Sequence, residues 1–439
     1  MKIAIVGLGY VGLPLALQFA RRGATVIGLD IDPVKVKSLN AGRSYIRHIP
    51  SADVRQQADA GRFSAWTDFA RVREAGAVII CVPTPLKKNR QPDISYILNT
   101  GKAIAPFLRR EKSQIENRKS KIPLVVLEST THPGTTDEDL RRVLETGSGL
   151  KAGRDFHLAY SPERENPGNS DRSVADIPKV VGGYTPACLK RAVALYRKAV
   201  KTVVPVSSCR AAEATKLLEN IFRSVNIALV NELKLVYGAM GLDVWEIIVA
   251  AKTKPFGFMP FYSGTGLGGH CIPIDPFYLA WKARQFGRDT RFIKLAGEIN
   301  TAMPQYVVER TAKALNSHRK VLRGFKILVL GLAYKPDVDD DRESPGYHLL
   351  DLLKKRGAKV AYHDPFIPLI RPSREHSHWA GTKSVAWNRK IIGSFDAAII
   401  STAHTAVNYR QLAQWARLIV DTRNAMAGLP AKLGQVWKA

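Results

Sequence analysis

Short, strongly apolar runs alternate with longer amphipathic ones along most of the chain. The short runs are rich in β-branched residues and four to six residues long, which predicts buried strands. They fall at residues 2–6, 25–29, 77–82, 124–127 and 157–160, and again at 326–330, 359–362, 397–401 and 418–421. Helical periodicity fills most gaps: after Gly12 through Arg22, about 94–109, and from Ser344-Pro345 to Lys355, stopped by Gly357. Residues 112–121 are polar and predict a loop. Strands alternating with helices argue for a parallel, doubly wound sheet. Val203-Val204-Pro205 closes this first α/β stretch.

The middle of the chain is different. A helical pattern runs from 211 to 238, on the order of 40 Å at 1.5 Å per residue. Leu217, Leu218, Ile221, Phe222, Val225, Ala228 and Leu229 share one face, and Lys216, Asn220, Arg223, Asn231 and Lys234 lie opposite. Lys216 and Asn220, four apart, point the same way. On periodicity alone that polar side reads as a solvated face. A helix this long could also bridge two domains and two subunits. A second helix is predicted at 244–251, then an aromatic loop at 256–262. Residues 316–323 are polar and basic, a linker into the second α/β stretch.

At 439 residues the chain has room for two or three domains. Four cysteines, Cys81, Cys188, Cys209 and Cys271, are widely spaced and form no CxxC pair, so neither a disulfide framework nor a metal site is indicated. Residues 3–20 carry no charge, but three glycines and Pro14 interrupt them, which excludes a membrane span and reads instead as strand, turn and helix. These features place the protein in the cytoplasm. The 66 basic and 38 acidic residues leave a net charge of +28. The basic residues are scattered in small clusters such as 87–90 and 109–112, with no nucleic-acid-binding motif beside them. They suit anionic substrates better than nucleic acid as the main partner.

The first strand ends in Gly7-Leu8-Gly9-Tyr10-Val11-Gly12, and the second ends at Asp30, eighteen residues beyond Gly12. Strand, GxGxxG, helix, strand and acid together form a dinucleotide fingerprint. Gly7 makes the turn, Gly9 lets the pyrophosphate approach, and Gly12 lets helix and strand pack. Asp30 would accept ribose hydroxyls and repel a 2′-phosphate, favouring NAD over NADP. Tyr10, Val11 and Lys35 are further candidate cofactor contacts. A glycine-rich turn without cofactor is the alternative.

Ligands of open α/β sheets bind beyond the carboxyl ends of strands. Thr84, Ser129 and Thr130 sit there, as ordinary turn residues or as site residues. Glu163, Arg164 and Glu165 follow the strand at 157–160 and stand out by their charge. In the second α/β stretch, Lys335, Arg342 and Arg423 at strand ends would suit phosphate or carboxylate. Gly264-Thr265-Gly266-Leu267-Gly268-Gly269-His270-Cys271 then runs into Asp275-Pro276, which reads as an N-cap and first helical residue. A cysteine just ahead of a helix N-terminus is favoured as thiolate. The stretch reads either as a nucleophile loop or as a glycine turn with a packed cysteine.

Taken together, Gly7–Pro14 (GLGYVGLP), Cys81–Pro85 (CVPTP), Ser161–Glu163 (SPE), Ala214–Asn220 (ATKLLEN), Gly266–Pro276 (GLGGHCIPIDP) and Gly331–Pro345 (GLAYKPDVDDDRESP) resemble the UDP-glucose/GDP-mannose dehydrogenase family over essentially the full length. The resemblance implies an α/β protein of two Rossmann-like doubly wound domains joined by a central helical region with a long helix. NAD would bind at 1–205, the cysteine loop and dimer interface would lie at 206–315, and the UDP-sugar would bind at 316–439. A homodimer or higher homo-oligomer is expected, serving polysaccharide biosynthesis.

The implied reaction oxidises a sugar C6 alcohol twice, to a carboxylate, with Cys271 holding a thiohemiacetal and then a thioester. Lys216 and Asn220 would stabilise oxyanions. Asp275 with Thr130 would position water, and Glu163 would serve as general base, directly or through water. Thr84, Thr130 and Arg342 would contact the cofactor. Glu163, Arg164, Glu165, Lys216, Asn220, Phe261, Tyr262, Gly268, Tyr334, Lys335 and Arg423 would line the substrate, with Phe261, Tyr262 and Tyr334 packing around uridine. SPERENPG departs from the SPEFL of glucose-oxidising members and looks like the branch that acts on N-acetylated sugars, UDP-N-acetylglucosamine above all. UDP-glucose, UDP-N-acetylgalactosamine and UDP-N-acetylmannosamine are the alternatives. A basic, non-enzymatic anion-binding protein is the remaining reading, against which the Lys216, Asn220, Cys271 and Asp275 set speaks.

Overall fold

The computed structural model describes residues 1–47, 49–87, 91–108, 123–165, 173–269, 272–373 and 376–439. The expected loop at 112–121, most of the basic cluster at 87–90 and all of that at 109–112, Asn166, Pro167 and Gly168 of the SPERENPG stretch, and His270 and Cys271 lie outside them. The chain divides into two compact units. One comprises Met1–Glu219 and Phe277–Arg288, the other Asn220–Pro276 and Asp289–Ala439.

The first unit is built on β1 (Lys2–Val6), β2 (Thr25–Leu29), β3 (Phe63–Trp66), β4 (Ala77–Ile80), β5 (Leu124–Leu127), β6 (His157–Tyr160), β7 (Lys179–Gly183) and β8 (Val203–Val206). They form one sheet in the order β3-β2-β1-β4-β5-β6-β7-β8. Neighbours pair in parallel except β6 with β7. Helices α1 (Gly12–Arg21), α2 (Pro33–Asn40), α3 (Ser51–Asp59), α4 (Ser95–Ile104), α5 (Arg141–Ser148) and α6 (Pro186–Tyr196) connect them. Both faces of the sheet are covered, as parallel strands require. Ile3 and Ile5 join one core cluster, and Ala4 and Val6 join the other. That is the period-2 alternation of a strand buried on both sides.

Helices α7 (Cys209–Ala239), α8 (Val244–Ala251), α9 (Asp275–Arg284) and α10 (Arg291–Ser317) follow. The second unit's sheet has the order β10-β9-β11-β12-β13 and is parallel throughout. Its strands are β9 (Lys326–Leu330), β10 (Lys359–His363), β11 (Ala397–Ile400), β12 (Ile419–Asp421) and β13 (Val436–Lys438). Helices α11 (Pro345–Lys355), α12 (Arg389–Ile392) and α13 (Tyr409–Trp415) complete it. Ser344 caps α11 by accepting from the Gly346 N–H at 3.1 Å, with Pro345 at the first helical position. Helix α9 starts at Asp275 itself, one residue earlier than a capping aspartate would allow.

Helix α7 overturns the periodicity reading. Most of its polar side is buried: Glu213, Lys216, Asn220, Ser224, Asn231 and Lys234 are all under 9% exposed, although Arg223 is exposed and Leu217 and Ala228 of the apolar face are buried beside them. Leu218, Phe222, Leu229 and Val236 on the other side are 46–67% exposed. Hydrophobic periodicity finds a helix's two faces but does not say which one points inward. Here paired polar groups take the interior, as buried polar groups must be hydrogen-bonded.

Candidate active site

The glycine turn after β1 is fixed by backbone bonds from both neighbouring strands. Gly7 N–H donates to the Leu29 carbonyl at 2.8 Å, and Cys81 N–H donates to Val6 at 2.8 Å. Gly7 has φ +89°, and a Cβ there would lie 2.5 Å from the Cys81 carbonyl oxygen. At Gly12, the first residue of α1, a Cβ would lie 1.8 Å from the Gly7 oxygen. Around Gly9 nothing lies within 4 Å of where a Cβ would stand. The turn is therefore closed against protein on two sides and open on the third, with a helix N-terminus behind it, the arrangement a pyrophosphate needs.

Asp30 is buried at the end of β2. Its Oδ2 accepts from the Leu8 N–H at 2.9 Å and its Oδ1 from the Asp32 N–H at 3.0 Å. Lys35 Nζ stands 3.8 Å away. Tyr45, from the segment between α2 and α3, donates its hydroxyl to the Leu8 carbonyl. Burial, then Asp30 and Asp32, push that phenol up, so it stays a donor. Tyr10 and Val11 pack half-buried on the core below. The open cradle at Gly9 and the acid beside it fit NAD.

The second feature of this unit is a buried ionic cluster that sequence reasoning found only in part. Lys179, on β7, places its ammonium 2.7 Å from Glu128 Oε2 and 2.9 Å from Glu163 Oε2. Tyr196, on α6, donates to Glu128 Oε1. Glu163 Oε1 accepts from the backbone N–H groups of Arg164 and Glu165, each at 2.6 Å. Burial pushes the Glu163 carboxyl up, but Lys179, the Glu165 N–H and Lys216 outweigh it and leave it below the usual carboxylate range. Glu165 goes the other way, pushed up to about 9 by burial and by the Glu163 charge, so it is protonated at neutral pH. Arg164, expected at the substrate, pairs with Glu219 at 2.7 Å and donates to the Pro178 carbonyl at 2.7 Å.

Thr84, Ser129 and Thr130 sit at the ends of β4 and β5 as expected. Thr84 is buried, with its carbonyl accepting from the Tyr278 hydroxyl at 2.9 Å. Ser129 Oγ accepts from the Val82 N–H at 2.9 Å. Lys216 is buried on α7. A carboxylate that sequence reasoning missed, Glu213, accepts from the N–H groups of Gly134 and Thr136 at 2.7 and 2.9 Å. It lies 77 positions from Thr136, beyond any local pattern.

In the second unit, Asn220 donates its side-chain amide to Asp275 Oδ2 at 2.5 Å, both buried. The glycine-rich loop up to Gly269 is held from several sides. Gly264 N–H donates to Asn231, Asn231 to Asn300, and Asn300 to the Ser224 carbonyl, at 2.9–3.2 Å. Gly269 N–H donates to the Arg342 carbonyl at 3.0 Å. A Cβ at Gly264 would lie 2.2 Å from the Arg423 guanidinium, and one at Gly268 or Gly269 would lie 2.8 Å from the Tyr334 side chain. These glycines are the contact surface on which Arg423 and Tyr334 rest.

Arg423 donates to the Ser401 carbonyl at 2.7 Å, and burial pulls it down to about 10, so it is charged at neutral pH. Lys335 is pulled down by burial and then by Arg223. Both cations are half-buried, and Asp421 beside Arg423 and Asp340 beside Lys335 work against that fall. Arg342 pairs with Asp340 at 2.6 Å. Phe261 packs edge-on to Phe222 at 5.6 Å, and Tyr262 stacks on Trp245 at 5.7 Å. At the end of β10, Asp364 Oδ2 accepts from the Leu332 and Ala333 N–H groups at 2.6 and 2.8 Å, as Asp30 does for Leu8. His404 fills the same oxygen at 3.0 Å. Among the described residues no group of three or more His, Cys, Asp or Glu is placed to hold a metal ion. Nor is any helix among them long and apolar enough to cross a membrane.

Comparison with known proteins shows the family. The NAD binding, central and UDP binding domains of the UDP-glucose/GDP-mannose dehydrogenase family match residues 1–200, 210–302 and 328–428. The chain is 33% identical to UDP-N-acetyl-D-glucosamine 6-dehydrogenase of Pseudomonas aeruginosa, over 96% of each. It is 35% identical to NDP-N-acetyl-D-galactosaminuronic acid dehydrogenase of Ralstonia solanacearum, over 85% of each. The structure of UDP-D-ManNAc dehydrogenase from Pyrococcus horikoshii superposes with a TM-score of 0.87 at 31% identity, covering 100% of this chain and 99% of that one. With NAD binding, central and UDP binding domain matches along the whole chain and a relative 33% identical over 96% of it, this protein belongs to the UDP-glucose/GDP-mannose dehydrogenase family, the NAD-dependent nucleotide-sugar dehydrogenases.

Proposed function

We propose that this chain oxidises C6 of a UDP-N-acetylhexosamine, UDP-N-acetylglucosamine first, from alcohol to carboxylate, through covalent attachment to Cys271. The branch assignment is supported by the SPERENPG stretch and by relatives whose names specify N-acetylated sugars. The observation that carries the mechanism is the Asn220–Asp275 hydrogen bond, four positions along the chain from Cys271.

NAD, when bound, accepts a hydride in each of the two oxidations. Gly7, Gly9, Tyr10, Val11, Gly12, Asp30, Lys35, Thr84 and Thr130 would hold it, with Arg342 as a further contact. The Cys271 thiolate adds to the C6 aldehyde and keeps it from escaping as a thiohemiacetal; after the second oxidation, water opens the thioester to the acid and the free thiol. Lys216 by charge and Asn220 by hydrogen bond would stabilise the C6 oxyanions. The bond to Asn220 fixes one Asp275 oxygen, and Asp275 with Thr130 would orient the water. Glu163 would accept a proton, directly or through water. Arg164, Glu165, Phe261, Tyr262, Gly268, Tyr334, Lys335 and Arg423 complete the proposed substrate set, and Arg423 and Lys335 meet the diphosphate charge. The use of NAD and a UDP-activated sugar argues for the cytoplasm.

The test is NADH formation with limiting UDP-N-acetylglucosamine and UDP-glucose, side by side. Two NADH per acetylated sugar are expected, with little turnover of glucose. Two per UDP-glucose alone would keep the chemistry and overturn the branch.

The exposed stripe of α7 supports a homodimer. Leu218, Phe222, Leu229 and Val236 recur at spacings of four and seven, the period of a helix–helix seam. We expect a dimer by sedimentation and a shift toward monomer in Leu229→Glu. A variant that sediments as the parent does would move the interface elsewhere.

A further inference from the structure

The cluster around Lys179 holds three carboxyls and one ammonium, and their partners are unequal. Glu128 takes Lys179 on one oxygen and Tyr196 on the other. Glu163 takes Lys179 on one oxygen and two backbone N–H groups on the other. No donor among the described residues reaches Glu165 Oε1, which is buried. Like charges this close cannot all ionise, and among the described residues the carboxyl with an oxygen left without a donor is Glu165, which therefore takes the proton. Lys179 itself is 5% exposed along its side chain, and β7 carries it into the sheet between β6 and β8. Among the described residues its ammonium pairs with those two carboxylates and lies over the Tyr196 ring at 5.6 Å.

We propose that Lys179 is a positioning residue for the reaction: its ammonium clamps the Glu163 carboxylate in one orientation and in its charged form, while Glu128 and Tyr196 anchor the ammonium from behind. This rests on the role given to Glu163 above. The clamp sets what Glu163 can do. Its Oε1 is committed to the loop backbone and its Oε2 to Lys179, so only the remaining lone pairs face water or substrate. Its charge is present across the working pH range without help from a ligand. The groups facing it are Lys179 of β7, Glu128 after β5, Lys216 of α7, and Arg164 and Glu165 of its own loop. Behind Glu128 stand Tyr196 of α6 and the Cys81 thiol after β4, both pushed up by burial and by the Glu128 charge, and therefore neutral.

Lys179→Met removes the clamp and leaves Glu163 facing Glu128 and Glu165 in a buried place. Its carboxyl should then protonate near neutral pH. In the variant, kcat/KM should fall about tenfold or more between pH 8.5 and pH 6, beyond any fall in the parent, and Lys179→Arg, which keeps the charge, should restore the parent profile. The ionisation is also read without substrate, by difference infrared titration of each protein against its Glu163→Gln counterpart. A protonated carboxyl band should appear near neutral pH only where Lys179 is gone. If burying three uncompensated carboxyls prevents folding, Lys179→Met/Glu128→Gln carries fewer charges and gives the same two readouts. Glu128→Gln alone leaves Lys179 to Glu163 and should keep it charged to lower pH than in the parent. A folded variant without Lys179 whose infrared titration and pH profile match the parent overturns the proposal, as does a Glu163 that protonates more readily in Glu128→Gln. Failure of every UDP-hexosamine to yield NADH with the parent protein would strike the substrate reading instead and leave the infrared result standing.

Discussion

Cys271→Ala is expected to end uronate formation while UDP-sugar binding persists. Covalent capture is the step that turns an aldehyde, which has no second hydride to give as it stands, into a thiohemiacetal that does. Without the thiolate, only hydration of the aldehyde could supply an equivalent, and the aldehyde would no longer be held against escape. The overall rate to the acid should fall by about 10³-fold or more, the scale on which removal of a nucleophile is felt. Cys271→Ser keeps the size and a hydroxyl but not an ionisable group near neutral pH, so it should fail in the same way. Mass spectrometry of the product with limiting sugar checks the rate, and calorimetry with the UDP-sugar checks binding. Normal turnover in either variant would sink the covalent mechanism.

Substitution in the glycine turn should separate two functions that the fingerprint merges. At Gly12 an added Cβ would meet a backbone oxygen at 1.8 Å, and a backbone atom cannot rotate aside. Gly12→Ala should therefore push α1 away from the turn, cost at least about 2 kcal/mol of stability, and lower NAD affinity about 100-fold or more. At Gly9 the same methyl enters open space, so Gly9→Ala should melt as the parent does. Its methyl would occupy the space through which the pyrophosphate must approach, and NAD binding should still weaken. Thermal melts and NAD titrations of the two variants form the check. Unchanged NAD affinity in Gly9→Ala would mean that the phosphates lie elsewhere.

What the sequence revealed and what it hid follow a physical line. The glycine turn and its acid were legible because all of that arrangement is local. Two strands, one turn, one helix and one acid fall within the first thirty residues, and each residue type is demanded by backbone geometry. The strands of both sheets were legible where they are continuous apolar runs. β7 (KVVGG) opens with a lysine and ends with two glycines and β13 is three residues long, so neither reads as a strand. The ionic cluster was visible only as Glu163 and Glu165. Its lysine lies sixteen residues beyond Glu163 and Glu128 lies 51 residues from that lysine, and sheet order, which no local pattern encodes, brings them together. The face of α7 was misread for a related reason. Periodicity reports that a helix has two sides, and only the partners of Asn220 and Asn231, 55 and 69 residues away, explain why the polar one is inside.

The acid at the end of β2 has a consequence for anyone wishing to redirect the enzyme to a different redox currency. Replacing Asp30 with a neutral or basic residue is the obvious way to admit a 2′-phosphate. Yet Asp30 also holds the Leu8 amide, and the second α/β unit keeps an aspartate for the same duty, Asp364, with two turn amides and a histidine on one of its oxygens. The acid is part of the turn's architecture before it is a ligand. An NADP-accepting design should therefore leave position 30 alone, or restore an acceptor for the Leu8 N–H, and place its new positive charge on the exposed residues Ile31 or Val34, whose side chains lie open to solvent beside it.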